Sequence, residues 1–484
     1  MPTYEVVIGL EVHAELITQS KMFCACSADF FGAPPNTHVC PVCLAMPGAL
    51  PVINREAVAQ TIRAGLALNC TIAEDVRFER KNYTYPDLPK GYQITQYELP
   101  QAVNGWLEID TPDGSKRIRI TRAHLEEDTG KLVHENGVSL VDYNRAGVPL
   151  LEIVSEPDMR SIDEVNEYLT RLRQLLIYIG ASTGDLEKGA MRMEANVSLR
   201  PAGSQELGTK VEIKNLNSFR AVRNALAYEI ARQEKVLREG GQVEQVTLGW
   251  LEHEGRTYVQ RTKEEAHDYR YFPEPDLPPL HIDRAWVEEL AAGLPELPRA
   301  RRQRFVEQYG LSRKDADILT AERAVADYFD ALVAAVGDAM PPKKVANWVM
   351  GDLFRLVNES GLPISGIPVT PAKFAGLLKL LAAKTINANT ASQVLKTMFR
   401  TGEDAGAIVE REGLAQVSDE AALERLVDRL LAEHPDEVAR YRAGKTQLFG
   451  WFVGQVMRET RGKANPGVVK KLLEGRLAEH GQDE

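Results

Sequence analysis

The chain has 484 residues, 44% hydrophobic and 26% charged, with 58 basic against 69 acidic side chains and a net charge of −11. That length suggests roughly three domains, and the balance excludes both a wholly disordered chain and a basic nucleic-acid coat. No run of eighteen apolar residues predicts a membrane span, the start lacks a secretory pattern, and five cysteines are too few for a disulfide scaffold, so a cytoplasmic protein is expected.

Up to about residue 290 strand signals dominate. Residues 10–16 alternate polar and apolar, the period of a half-buried strand, so Glu11, His13 and Glu15 share one face. Four of the five cysteines follow closely: Cys24, Cys26, Cys40 and Cys43. Two short loops with two thiols each can hold a structural zinc in a knuckle-like insertion over 24–43, although the first pair has one intervening residue instead of two. His38 as a replacement ligand, four unpaired thiols and a redox pair are the alternatives. Apolar three-and-four spacing predicts helices over 56–68 and 162–179, and Cys70 reads as a core residue. Asp113-Gly114 reads as a hairpin turn between strands 106–110 and 117–120. Residues 191–200 form another alternating strand.

Proline clusters at 271–279 and 294–298 then exclude helix and mark a boundary. Everything after them reads as helical. Thr370 caps a helix that starts at Pro371, Ser418 caps one over 419–433, and Asn465-Pro466 starts the last. A glycine-bearing stretch at 401–413 separates two helical units. The expected class is α+β: a mixed α/β domain with an antiparallel-rich sheet over 1–293, a helical domain over 294–408 and a small helical tail domain over 409–484.

Glu11 and His13 lie beside apolar neighbours that read as buried, which suits a hard cation such as magnesium. Glu126-Glu127-Asp128, Glu152 within an apolar run and Glu194 within an alternating strand add to them. A lone carboxylate in such a run is costly to bury, so together they suggest a carboxylate-lined cavity of the kind used in metal-assisted phosphoryl chemistry. Lys81 and Lys90, in loops rich in Tyr, Pro and Gly, are candidate phosphate or substrate contacts. Lys210, Glu212 and Lys214 alternate on another strand and are candidates for the same cavity. No Walker loop, Rossmann fingerprint, nucleophile elbow or Cys-His pair is present.

Residues 440–476 carry nine Lys or Arg against two Glu, a local balance of +7 that fits phosphate contact. The candidates are Arg440, Arg442, Lys445, Arg458, Arg461, Lys463, Lys470 and Lys471; a solvated basic face is the alternative. Phe449, Trp451 and Phe452 read as the core of a small bundle.

The motifs at 7–13, 81–93, 124–128, 151–158, 214–219 and 268–276, among them Lys81-Asn82-Tyr83-Thr84-Tyr85-Pro86-Asp87 and Asp268-Tyr269-Arg270-Tyr271-Phe272-Pro273, resemble the B subunits of the bacterial glutamyl/aspartyl-tRNA amidotransferases, in order and over essentially the whole chain. The resemblance implies a cradle-like catalytic domain, a helical domain and a tail domain that touches tRNA. It implies a ligase that activates the side-chain carboxylate of misacylated Glu-tRNA or Asp-tRNA with ATP and lets ammonia displace phosphate. It implies a heterotrimer with two partners, an amidase-family glutaminase and a smaller third protein, and extends to an aspartyl- or glutamyl-tRNA synthetase. Glu11, His13, Glu126 and Glu152 would hold magnesium at the ATP site. Lys81, Glu127 and Glu194 would line the ammonia route; the family often has aspartate at the Glu194 position. A zinc-stabilised, non-catalytic tRNA-binding scaffold is the second reading.

Overall fold

The computed structural model describes residues 3–262, 268–415, 420–460, 464 and 466–478, without the side chains of 420 and 421. The chain divides into two compact units, 1–298 and 299–484.

The first unit is built on a nine-stranded sheet. In spatial order its strands are Arg256–Thr262, Val246–Leu251, Val211–Leu216, Met191–Pro201, Tyr4–Glu15, Pro149–Ser155, Gly114–Glu127, Ala102–Thr111 and Thr71–Ile72. Only Val211–Leu216 and Val246–Leu251 pair in parallel. The remaining neighbours are antiparallel. The sequence explains which face is which. In the central strand Tyr4–Glu15, Ile8, Leu10, Val12 and Ala14 point into one core. The helices Arg55–Ala67, Ile162–Tyr178 and Phe219–Arg238 cover that face with Ala57, Ile62, Leu169, Leu172, Val222 and Leu226. Glu11, His13 and Glu15 are left for the other face, because side chains alternate across a strand.

Local chemistry starts these helices where expected. The Asn54 side chain accepts from the amides of Glu56 and Ala57, and the Ser161 hydroxyl accepts from Glu164. The hairpin turn lies one residue earlier than the sequence reading put it. Thr111 pairs with Gly114, so Pro112 and Asp113 form the turn. Proline is favoured at the second position of a type I turn and glycine at the fourth, and this outweighs the Asp-Gly signal. The proline-rich segment 271–279 is extended as read. Phe272–Pro273 pairs with Glu79–Asn82, which pairs in turn with Tyr92–Thr95. Cys70 is buried in the main core.

The second unit is helical among its described residues. The Thr370 hydroxyl accepts from the Lys373 amide at the start of Pro371–Ala382. The stretch read as a separator contains the helix Ala405–Arg411, whose Ala405, Ile408 and Val409 are buried, so the expected break at 408/409 falls inside a helix. The helices Glu420–Glu433, Pro435–Arg442, Leu448–Glu459 and Pro466–Ala478 share a core of their own around Leu423, Val427, Phe452, Val456, Val469 and Leu473. Ser418 and Asn465, read as caps, lie outside the described residues. No described helix is long and apolar enough to cross a membrane.

Candidate active site

The polar face of the large sheet lines a cavity of about 640 Å³. Strand register assembles its floor. Glu11 faces Glu194, and His13 lies between Arg192 and Glu152. Glu152 faces His124, and Asn196 faces Glu212. Lys81, Tyr83 and Tyr269 close one side, carried by the strand Glu79–Asn82 and the segment that pairs with it. Residues far apart in sequence thus meet because five neighbouring strands present one parity of side chains to one space.

Two acidic groups can be separated on this floor, each with ligand atoms within 4.8 Å of one another: His13, Glu126 and Glu152, and Glu11, Glu194 and Glu212. In the first, His13 Nε2 lies 3.5 Å from Glu152 and 3.9 Å from Glu126. Both carboxylates are buried. Gln93 Nε2 donates to Glu126 at 3.0 Å and the Thr95 hydroxyl donates to it at 2.7 Å, which fixes its plane. In the second, Asn196 Nδ2 donates to Glu11 at 2.9 Å and the Thr247 hydroxyl donates to Glu212 at 2.7 Å. Lys214 Nζ bridges Glu194 at 2.7 Å and Glu212 at 3.4 Å.

Charge is strongly coupled here. Burial opposes charging of His13, yet Glu152 and Glu126 outweigh it and raise the imidazole to about 9. Burial also works against the Glu152 carboxylate, but His124, His13 and Lys81 hold it well below the usual range. Lys81 is raised for the matching reason: burial disfavours its charge, while Glu126 and Glu152 favour it. Glu11 is pushed up by burial and by repulsion from Glu152 and Glu194. Burial opposes the Lys214 charge, but Glu194 and Glu212 lift it to about 12. Two close carboxylate groups offset only by His and Lys form a site that a divalent cation can complete. The all-oxygen set of Glu11, Glu194 and Glu212 suits magnesium; the nitrogen of His13 widens the choice in the other set.

Adjacent residues on the strand Gly114–Glu127 point to opposite sides, so Glu127 lies apart from this floor. It lines a second cavity of about 220 Å³ with Lys90, Phe23, Cys24 and Cys43. Lys90 Nζ donates to its carboxylate at 2.8 Å and the Ile94 amide donates at 3.0 Å. Of the residues grouped by the sequence reading, the main cavity thus gathers Glu11, His13, Lys81, Glu126, Glu152 and Glu194, while Lys90 and Glu127 form an ion pair in the neighbouring cavity.

Sequence reasoning missed His124, whose Nε2 sits 3.4 Å from both Glu126 and Glu152. It also missed Arg192, which donates to Asp128 at 2.7 Å at the cavity wall. Both share a strand face with residues that were singled out, and that parity was the available signal.

The four thiols converge. Cys43 Sγ lies 3.8 Å from Cys40 Sγ and 4.0 Å from Cys26 Sγ, and all four sulfurs fall within 4.8 Å of one another. A tetrahedron with zinc–sulfur bonds of about 2.3 Å has edges of about 3.8 Å, so the set can hold a metal such as zinc.

In the tail, Arg440, Arg442, Lys445, Arg458, Lys470 and Lys471 are exposed, while Arg461 and Lys463 lie outside the described residues. Phe452 is fully buried, and Phe449 and Trp451 pack against the same core.

Residues 6–288 match the family described as the GatB/GatE catalytic domain, and residues 327–477 match the family described as the GatB domain. A relative from Moorella thermoacetica, named as the B subunit of an aspartyl/glutamyl-tRNA(Asn/Gln) amidotransferase, is 55% identical over 98% of this chain and 100% of its own length. Relatives of the same name from Myxococcus xanthus and Dehalococcoides mccartyi are 54% and 51% identical, over 98% and 99% of this chain and 99% and 100% of their own lengths.

Proposed function

The chain belongs to the family of aspartyl/glutamyl-tRNA(Asn/Gln) amidotransferase B subunits, ligases of the glutamine-dependent kind, and on that premise we propose that it carries out both the activation and the amidation of misacylated tRNA. The observation that carries the reading is the cavity of about 640 Å³ floored by two carboxylate groups with Lys81 at one side.

A carboxylate is a poor electrophile because it would have to expel oxide. In the proposed sequence the side-chain carboxylate of the aminoacyl group attacks the γ-phosphorus of ATP, and the bond to ADP breaks. Ammonia then attacks the acyl carbon and expels phosphate. Magnesium, which His13, Glu126 and Glu152 would hold on one side and Glu11 with Glu194 and Glu212 on the other, would neutralise charge on the transferring phosphoryl group. Gln93 and Thr95 keep Glu126 in position for this. Lys81, drawn toward Glu126 and Glu152, offers its ammonium to the phosphate oxygens. Glu194, tethered to Lys214, faces the same space. Ammonia released by the glutaminase partner arrives past Lys90 and Glu127, and Glu127 takes the proton that ammonium must lose before it attacks in the main cavity. The smaller partner protein and an aspartyl- or glutamyl-tRNA synthetase complete the set of proposed partners, and zinc in the Cys24–Cys26–Cys40–Cys43 cluster is structural.

The test is tRNA-dependent ATP consumption by the complex of this chain with its partners. ADP should form with magnesium and misacylated Glu-tRNA or Asp-tRNA, and amide product should follow with ammonium chloride in place of glutamine. If no ATP is consumed in response to misacylated tRNA, the chain is the zinc-stabilised scaffold and activation lies elsewhere.

The basic tail is proposed to grip the tRNA body through Arg440, Arg442, Lys445, Arg458, Arg461, Lys463, Lys470 and Lys471. Because residues 423–477 have their own core, a chain ending at Arg411 loses that unit whole. Its complex is expected to bind tRNA at least about tenfold more weakly at roughly 100 mM salt, with a flatter dependence of log K on log salt. Equal affinity and slope in a filter-binding titration would remove the tail from the interface.

A further inference from the structure

One buried ionisable group takes no part in the chemistry above. Lys21 is 0% exposed, the only buried lysine among the described residues. Its ammonium donates to two backbone carbonyls, His38 at 2.7 Å and Tyr143 at 3.3 Å. Among the described residues no carboxylate pairs with it, and the acidic residues of the adjoining segments are engaged elsewhere. Asp142 accepts from the amides of Asn36 and Asn144 at 2.9 and 3.0 Å. Asp128 is held by Arg192 at 2.7 Å and Arg145 at 3.6 Å. Carbonyl oxygens replace part of the hydration of an ammonium but supply no opposite charge, so this cation is costly to bury as it stands.

The missing charge is close by, in the cysteine cluster. The Lys21 amide donates to the Cys26 carbonyl at 2.9 Å, and His38, whose carbonyl holds the ammonium, precedes Cys40 by two residues. Gly147, at φ +86°, packs beside both partners: a Cβ built on it would lie 3.7 Å from Cys43 Cβ and 3.7 Å from Lys21 Cδ. The Cys43 thiolate is favoured first by the hydrogen bond from Cys24, and the Lys21 charge adds to it. The four sulfurs, without His38, form the set whose ligand atoms fall within 4.8 Å of one another. Zinc bound by four thiolates is doubly negative, and such a half-buried anion needs a cation as much as Lys21 needs an anion.

We propose that Lys21 is the counter-ion of the cysteine site, so that the chain takes up zinc as a four-thiolate complex whose negative charge the buried ammonium partly offsets; the inference rests on the structural zinc proposed above. The two groups are then stable only together. Zinc supplies the reason that four thiols lose their protons, and the resulting charge is what makes an ammonium tolerable at 0% exposure. Lys21 acts through the sulfurs and touches no substrate, so it is a positioning residue.

The test uses the complete complex, with the metal alone as probe. Zinc uptake by metal-stripped protein, measured in competition with a chromogenic chelator, should be weaker by about tenfold or more in K21M. Cobalt in place of zinc should show the charge-transfer bands of four sulfur ligands in wild type. A packing role alone would lower Tm whether or not the thiolates are present, whereas a counter-ion reverses sign. Zinc-loaded K21M should melt below zinc-loaded wild type, but C43A/K21M should melt above C43A, where the ammonium has lost its central partner. If K21M alone does not fold, the C43A pair still gives the sign. The proposal is overturned if K21M holds zinc as tightly as wild type, if cobalt reports a nitrogen ligand, or if C43A/K21M melts at or below C43A. Wild type that takes up no zinc overturns both the counter-ion and the structural zinc, whereas zinc-loaded wild type with an indifferent K21M overturns only the counter-ion. Neither result bears on tRNA-dependent ATP consumption, which tests the proposed activity by itself.

Discussion

Replacing Glu152 by glutamine is expected to lower ammonium-supported amidation by about a thousandfold, roughly 4 kcal/mol of transition-state stabilisation, while glutamine hydrolysis by the glutaminase partner stays within about twofold. Glu152 sits where His13, His124 and Lys81 converge. His13 is 3.5 Å away, His124 is 3.4 Å away, and Lys81 is drawn by the same charge. Glutamine keeps the volume but removes the charge that would hold the divalent cation and set the position of Lys81. The defect should appear in kcat more than in KM for tRNA, because Glu152 serves phosphoryl transfer while tRNA affinity is spread over many phosphate contacts. Loss of this buried charge costs stability too, about 3–5 kcal/mol where a buried pair is broken outright. The variant's Tm should therefore be compared with that of Glu212→Gln, which removes a charge from the neighbouring group already bridged by Lys214. Near-normal amidation by a folded Glu152→Gln complex would dismiss this carboxylate from the metal site and the activation step from this cavity.

What the sequence disclosed of this site depended on strand parity. Glu11, His13 and Glu194 were legible because single strands alternate cleanly around them. Pairing between strands is non-local, so nothing in the sequence announced that Glu11 faces Glu194 while His13 faces Glu152. One magnesium set was therefore expected from Glu11, His13, Glu126 and Glu152, and the fold instead divides Glu11 from the other three and gives it Glu212 as a neighbour. Glu126 and Glu127 show the same limit at closer range. Consecutive residues of one strand must face apart, yet only the second cavity reveals what Glu127 faces. The helices were easier, since apolar spacing over 56–68 and 162–179 and a cap such as Thr370 act within a few residues. The helix Ala405–Arg411 escaped because its flanking glycines resemble a linker and its length is only seven residues.

Cys43→Ala is expected to abolish stoichiometric zinc binding and to lower Tm by several degrees. The thiol is central to its cluster: Cys40 and Cys26 lie 3.8 and 4.0 Å from it, and the Cys40 amide donates to it at 3.1 Å. The hydrogen bond from Cys24, with the backbone and Lys21 in support, holds Cys43 down to about 4, so one thiolate is present at neutral pH. Cys24 is pushed up by sharing that proton and by burial, and burial raises Cys26 to about 11. Zinc must displace protons from these two, so its affinity should strengthen from about pH 6 to about pH 8, with measurable proton release on binding. The cluster also bears on the chemistry. Cys24 and Cys43 line the same cavity as Lys90 and Glu127, on the proposed route of ammonia. Losing the metal should therefore impair glutamine-dependent amidation about tenfold or more and ammonium-dependent amidation much less, since free ammonium reaches the main cavity through solvent. Metal analysis of protein prepared without chelator, followed by the two assays side by side, decides the matter. Zinc-free wild type whose thiols oxidise reversibly would make the cluster a redox pair, and equal loss in both assays would separate the zinc from the ammonia route.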